Sequence, residues 1–165
     1  MYKDEKVSIN PKYRMRIIAG NNEKRFYDMC KDNLLSELLR GKKSFYSDGI
    51  DDNKVSISVD NSIEIGDKKI LIEIDSGNMA KLIVGQYTLL NILCNSIEKS
   101  NIVFIVIHYY KDYNTKRTEK NLKLVSKAVF NDNGIRFKVF NIKEFEKICK
   151  KNKGNKDSFI KQLLS

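Results

Sequence analysis

The segment that most constrains the fold is an apolar run in the second half of the chain, "NIVFIVIHYY", at residues 101–110. It is almost free of charged side chains, and most of its apolar residues are β-branched. A strand that is apolar on both sides must be covered on both faces, which is typical of central strands in α/β proteins. The run therefore predicts the centre of a sheet with helices packed on both of its faces.

Segments on either side of this run alternate between strand and helix patterns. The alternation in "VSISV", continued through Ile63 and Ile65, predicts strands, and "KKILIEID" predicts another after the turn "GDKK". The remaining predicted elements are a helix capped by Asn21 or Asn22 and extending to about Leu39, a helix from about Met79 (capped by Asn78) to Glu98, a helix over 116–130 closed by "NDNG", a strand in "IRFKVFNI", and helices in "KEFEKICKK" and "KDSFIKQLLS".

The order of these elements predicts an α/β protein with a mixed β-sheet flanked by helices. Residues 1–20 show no clear pattern, and we interpret them as a basic arm or a short strand. The chain has one proline, no Ser/Gly-rich linker and no internal repeat. We therefore expect one domain over residues 1–165.

Composition and charge narrow the classes of partner and compartment. The formal net charge is +10 over 165 residues, which favours nucleic acid as a partner; the alternative is a merely solvated basic surface. Three well-separated cysteines, Cys30, Cys94 and Cys149, form neither a disulfide framework nor a CxxC metal site. The N-terminal segment lacks the apolar core of a signal peptide, and no apolar run is long enough for a membrane span. We expect a cytoplasmic protein without a membrane partner.

Acidic side chains interrupt the apolar strand pattern in "KKILIEID". Glu73 and Asp75 point to the same face of that strand, because side chains alternate with a period of two. A hairpin through "GDKK" would bring Asp60 beside Glu73. Carboxylates that crowd together raise one another's pKa unless a cation neutralises them, and Mg²⁺ or Mn²⁺ is the simplest neutraliser. The alternative is that both acids face solvent on a half-exposed strand.

Asp60 together with Glu73-Ile74-Asp75 resembles the motif of the PD-(D/E)xK nucleases, the restriction-endonuclease-like superfamily. The element order from about residue 22 to 108 is also similar to the αβββαβ core of that superfamily, with the later elements as C-terminal additions. The resemblance implies a restriction-endonuclease-like fold and metal-dependent hydrolysis of DNA phosphodiester bonds. A type II restriction enzyme that acts as a homodimer is the leading expectation.

The resemblance also implies roles for individual residues. Asp60, Glu73 and the carbonyl of Ile74 would bind Mg²⁺ or Mn²⁺. The third motif position is usually lysine and is Asp75 here, so two interpretations stay open. Either Asp75 acts as a base or metal ligand, or Lys81 supplies the missing cation from the following helix.

Two further features match the superfamily. "GQY" is similar to the glutamine and tyrosine that follow the motif in many members, so Gln86 would orient a phosphate or a metal-bound water. An acid from the first helix sometimes joins the site, and either Glu23 or Glu37 could do so.

A basic segment with interleaved aromatic residues follows the central strand. Phosphate contacts or base stacking are expected from Lys111, Tyr113, Lys116 and Arg117. The alternative is a tyrosine-bearing loop with solvated charges. His108, the only histidine, has no partner identifiable from the sequence, and we interpret it as structural.

Other functions remain open from the sequence. The chain could be an inactive nucleic-acid-binding or interaction module on the same fold. The presence of Asp75 where the motif usually has lysine favours this interpretation. It could also be a junction-resolving or repair nuclease, or an unrelated basic α/β protein whose carboxylates are surface groups.

Overall fold

The computed structural model describes residues 11–48, 54–77, 79–110 and 113–165. The helices are α1 (Pro11–Asp32), α2 (Ala80–Leu93), α3 (Ser96–Ser100), α4 (Lys116–Phe130), α5 (Ile142–Lys151) and α6 (Lys156–Leu164), with a short 3₁₀ helix at Ser36–Leu38. The strands are β1 (Lys43–Tyr46), β2 (Ser56–Val59), β3 (Asn61–Ile65), β4 (Lys68–Asp75), β5 (Ile102–His108) and β6 (Arg136–Asn141). Over these ranges, no helix combines the length and apolar character that crossing a membrane requires.

The main sheet has four strands in the order β3-β4-β5-β6. β3 runs antiparallel to β4, whereas β4, β5 and β6 are parallel to one another. Every residue of β5 is buried, as the apolar run predicts. The pairing of β4 with β5 ends at Asp75 opposite His108, so the carboxyl ends of both strands lie at the same edge. The predicted mixed sheet flanked by helices is confirmed.

Helices cover both faces of this sheet. On one face, Ile70, Ile72 and Ile74 of β4 pack with apolar residues of α1, α5 and α6. On the other face, Leu71 packs with residues of α2 and α4. Because side chains alternate along a strand, Glu73 and Asp75 share the face of Leu71. The strand thus separates an apolar side from a side whose last two residues are acidic.

The chain changes sheets at Asp60. β2 pairs with β1 in a separate two-stranded sheet, where Val59 lies opposite Lys43. β3 begins at Asn61, directly after Asp60. It pairs with β4, and Asn61 lies opposite Ile72. The continuous alternation in the sequence hides this break, since the apolar residues on both sides keep the same period. The break leaves Asp60 between the two sheets.

The predicted bounds of the first helix are wrong at both ends. α1 begins at Pro11, not at Asn21 or Asn22, and the fixed φ of proline suits the first position of a helix. It ends at Asp32, because Leu34 adopts a left-handed conformation with φ 59°. Leu35 is buried directly after this turn. Leu35, Leu38 and Leu39 therefore pack from a turn and a short 3₁₀ helix, whereas Leu34 is exposed.

The predicted helix from Met79 to Glu98 is two helices. α2 ends at Leu93, and Asn95 caps α3 by accepting a hydrogen bond from the Glu98 N–H while the Glu98 side chain accepts one from the Asn95 N–H. This reciprocal capping box starts a new helix. The proposed cap Asn78 lies outside the described residues. The elements predicted after residue 115 are present, and α4 closes at Asn131 in a left-handed conformation.

The double-sided burial of β5 predicts a large difference between two isoleucine truncations. Ile105 is fully buried in β5, whereas Ile97 in α3 is 78% exposed. Ile105→Ala should lower the free energy of unfolding by about 2–5 kcal/mol, because it leaves a cavity against the helices. Ile97→Ala should change it by about 0.5 kcal/mol or less. Urea denaturation measures both, and equal effects would contradict the position of β5.

Candidate functional site

The hairpin of β3 and β4 brings Asp60 against the end of β4. Asp60 Oδ2 accepts a hydrogen bond of 2.8 Å from the backbone N–H of Ile74. Since Asn61 lies opposite Ile72, the register carries Asp60 alongside Glu73. The N–H and C=O of a strand residue point to the same side in an antiparallel pair, so the Ile74 carbonyl lies on the side of Asp60. The three predicted metal-binding positions are neighbours.

The carboxyl group of Glu73 lies where water does not fully solvate it. Its Oε2 atom is buried and has no hydrogen-bond partner among the described residues. Burial, together with the charge of Asp60, raises the pKa of Glu73 to about 8, although the Gln86 side chain and the Asp60 backbone act in the opposite direction. A cation bound at this oxygen would stabilise the negatively charged form of the buried Glu73 carboxylate.

Glu23 of α1 lies close enough to Asp60 for the two charges to interact. Partial burial and the charge of Asp60 raise the pKa of Glu23. Glu37, the other acid considered from the sequence, instead pairs with Lys156 of α6, which lowers its pKa. Asn22 fastens α1 here, because its Nδ2 donates a hydrogen bond of 3.0 Å to Ser76 Oγ just beyond β4.

Lys42 is a cation of the site that the sequence did not reveal. The register of Lys43 opposite Val59 carries Lys42 alongside Asp60. Burial still raises the pKa of Asp60, but its hydrogen bond from Ile74 and the charge of Lys42 act against that rise. Lys42 also lowers the pKa of Glu23. In the sequence, Lys42 belongs to "GKK", a segment without a strand pattern, so its position depends on a register that only the fold defines.

Two predicted residues come from α2. Lys81 is the second residue of this helix, and its side chain is exposed. Gln86 lies further along α2 and donates a hydrogen bond of 2.9 Å from Nε2 to the Ser58 carbonyl. Because Gln86 also interacts with Glu73, it connects α2 to β2 and to the carboxylate cluster.

Asp75 has a different environment from Glu73. It is only 5% exposed, and its carboxylate accepts hydrogen bonds from His108 Nδ1 (2.7 Å) and from the backbone N–H groups of Gly77 (3.2 Å) and Met79 (3.3 Å). Burial alone would raise the pKa of Asp75, but these hydrogen bonds outweigh it and hold the pKa below its usual value. Both oxygens of Asp75 thus have partners that hold the connection between β4 and α2.

His108 has the partners that the sequence did not identify. Its Nε2 lies 2.9 Å from Thr118 Oγ1, which lies 3.1 Å from the Tyr113 hydroxyl. The Tyr113 ring stacks on the His108 ring with centroids 4.0 Å apart. Both ring nitrogens of His108 thus have partners, Asp75 at Nδ1 and Thr118 at Nε2. The sequence signal is that Asp75 and His108 end two neighbouring strands.

The residues after β5 that were predicted to bind nucleic acid differ in their environments. Lys111 is outside the described residues. Tyr113 is half-buried on His108, which gives its ring a structural contact. Lys116 and Arg117 are the first two residues of α4, and both are exposed.

The donor set of the site suits a hard divalent cation. Asp60, Glu73 and the Ile74 carbonyl supply oxygen atoms, the ligands that Mg²⁺ and Mn²⁺ prefer. Three or more His, Cys, Asp or Glu side chains grouped to hold a metal are not found within the described ranges, so any such ion would rely on two carboxylates, the backbone and water. The unpartnered oxygen of Glu73 and the raised pKa of Asp60 fit this donor set.

No protein-family model matches the chain, and no curated protein matches it. The chemistry of the site therefore has to be inferred from the residues that form it.

The raised pKa of Glu73 predicts a pH dependence of stability in metal-free buffer. The folded state binds the proton more tightly than the unfolded chain, so this stability is present below about pH 4.5 and is lost as the pH rises through about 8. Thermal and urea unfolding should show a loss of at most about 1.4 kcal/mol per pH unit within that window. Glu73→Gln should flatten the profile.

Glu64 provides the matched control on the same hairpin. It is exposed and pairs with Lys43, which lowers its pKa. The pair contributes stability that is present at neutral and alkaline pH and is lost as the pH falls. Glu64→Gln should therefore leave the slope of the neutral and alkaline part of the profile unchanged. A Glu73→Gln profile as steep as that of the parent would show that Glu73 is solvated.

Proposed function

We propose that this protein is a metal-dependent endonuclease that hydrolyses DNA phosphodiester bonds, with a restriction-endonuclease-like core. The observation that carries the proposal is the meeting of Asp60 and Glu73 at the end of β4, with one buried oxygen of Glu73 left without a partner among the described residues. The helix-meander-helix-strand order of the chain and its net charge of +10 support it.

The chain's own residues have separate tasks in this proposal. Asp60, Glu73 and the Ile74 carbonyl would hold Mg²⁺ or Mn²⁺, and the backbone N–H of Ile74 keeps the Asp60 carboxylate oriented. When bound, such an ion lowers the pKa of water and stabilises negative charge on a phosphate. Gln86 keeps α2 next to the carboxylates through its contact with Ser58.

In our proposal, Lys81 supplies the cation that the lysine of the third motif position usually supplies. A lysine on the first turn of α2 is exposed and can reach a phosphate, and the amino end of the helix adds partial positive charge. Asp75 acts as a positioning residue, because its carboxylate is occupied by His108 and two backbone N–H groups. Lys42 is the alternative cation, since it lies alongside Asp60.

Within this class, a type II restriction enzyme that works as a homodimer is the proposed form, because two sites related by a two-fold axis match a palindromic duplex. The second candidate is an inactive DNA-binding module on the same fold. The burial of Asp75 at the position where the motif usually has lysine favours that candidate.

Alanine variants of the two carboxylates test the proposal. Asp60→Ala and Glu73→Ala should abolish plasmid cleavage with Mg²⁺ and leave duplex binding with Ca²⁺ intact, since they remove ligands without removing positive charge. Glu64→Ala, on the same hairpin, should cleave at the parental rate. Normal cleavage by Glu73→Ala would refute the site, and a parent that binds but never cleaves would select the inactive module.

Lysine variants test which residue supplies the cation of the third motif position. Lys81→Ala should slow single-turnover cleavage at saturating enzyme by about 10²–10³, the usual cost of removing one group that stabilises the transition state. Lys42→Ala is the matched variant from the other side of the cluster and should have the smaller effect on that rate. A large loss in Lys42→Ala with parental cleavage in Lys81→Ala would transfer the role to Lys42.

A further inference from the structure

The outer face of α4 carries a row of exposed lysines. We call Lys116, Lys120, Lys123 and Lys127 the α4 lysine stripe; all of its members are exposed. Spacings of four, three and four residues place them on one face of the helix. The opposite face is buried through Thr118 and Leu122. The stripe thus points directly away from the core.

Simple solvation does not account for the composition of this helix. Like charges three or four residues apart destabilise a helix. In α4, the four lysines of the stripe and Arg117 are positively charged, and Glu119 is the one acidic residue. The helix α5 on the other face of the sheet has exposed lysines at similar spacing but intersperses Glu144 and Glu146 among them. Glu146 pairs with Lys150 at 2.8 Å. The α4 lysine stripe has only Glu119 for such compensation within its helix, and a polyanion would supply the rest.

The stripe is held in a fixed position relative to the carboxylate cluster. Thr118 in the first turns of α4 contacts His108, and His108 contacts Asp75, two residues beyond Glu73. α4 also packs on the sheet face that Glu73 shares with Leu71. A buried chain of hydrogen bonds therefore links the start of the stripe to the strand that carries the site.

The length of the stripe suits the backbone of a duplex. Lys116 and Lys127 are separated by about 16 Å along the helix axis at 1.5 Å per residue. One strand of B-DNA carries a phosphate about every 3.4 Å along its axis, so the stripe spans roughly five phosphates. We propose that the α4 lysine stripe binds the phosphate backbone of duplex DNA beside the cleavage site, without reading its sequence. This inference rests on the proposed nuclease function.

A charge-matched pair of variants tests the inference. Lys120→Gln/Lys123→Gln/Lys127→Gln removes three charges from the stripe, and Lys143→Gln/Lys147→Gln/Lys151→Gln removes three from α5, so each lowers the formal net charge from +10 to +7. Binding of a duplex of about two helical turns is measured with Ca²⁺ between about 50 and 200 mM salt. The slope of log K against log salt should become shallower by about 2.7 in the α4 variant, since each lost phosphate contact contributes about 0.9.

The α5 variant should keep a slope close to that of the parent. Equal slope changes in the two variants, or no change in either, would overturn the stripe and leave the nuclease proposal standing. A parent that does not bind duplex DNA would overturn both. The Lys→Arg form of the α4 triple variant retains the charge and should restore the parental slope; if it does not, loss of positive charge is not the cause and the inference fails.

Discussion

The structure depends on the burial of β5 on both faces. A strand without a solvated side needs helices on both faces of the sheet. The crossovers of the parallel pairing with β4 and β6 supply α2 and α4 for one face, and α1, α5 and α6 cover the other. Parallel pairing also brings the carboxyl ends of β4 and β5 to one edge of the sheet. The acids of β4, His108 and the first turn of α4 meet there for that reason.

Two acids on the same face of β4 have opposite electrostatic environments. Asp75 lies beside β5 and receives three hydrogen bonds, which hold its pKa low despite burial. Glu73 lies beside Asp60, so burial and a like charge raise its pKa to about 8. The difference arises from their neighbours, since strand position and residue type are nearly the same. Asp75 is stabilised as an anion within the protein, whereas Glu73 is not.

The sequence predicted the features that depend on local periodicity. The period of two along β4 placed Glu73 and Asp75 on one face, and the apolar run marked β5 as central. Features that depend on register were not predictable. Lys42 lies alongside Asp60 only because β1 pairs with β2, and the bend at Asp60 is hidden by continuous alternation. The end of α1 was missed because leucines of the following turn keep the helical spacing.

An acidic cluster on a basic protein poses an electrostatic problem for a phosphate ligand. Carboxylates at the end of β4 repel a phosphodiester, and exposed lysines further than a Debye length of about 8–10 Å do little at that point in physiological salt. A surface lysine therefore acts on Glu73 only from within that distance. In our proposal, the lysines of α4 retain a duplex by its backbone, and the neutralisation of Glu73 is a separate requirement. Our candidates for positive charge close to Glu73 are Lys42, Lys81 and a cation held by the carboxylates themselves. In our proposal, affinity for a duplex and competence for cleavage therefore depend on different residues, so that a variant should lose one property and keep the other.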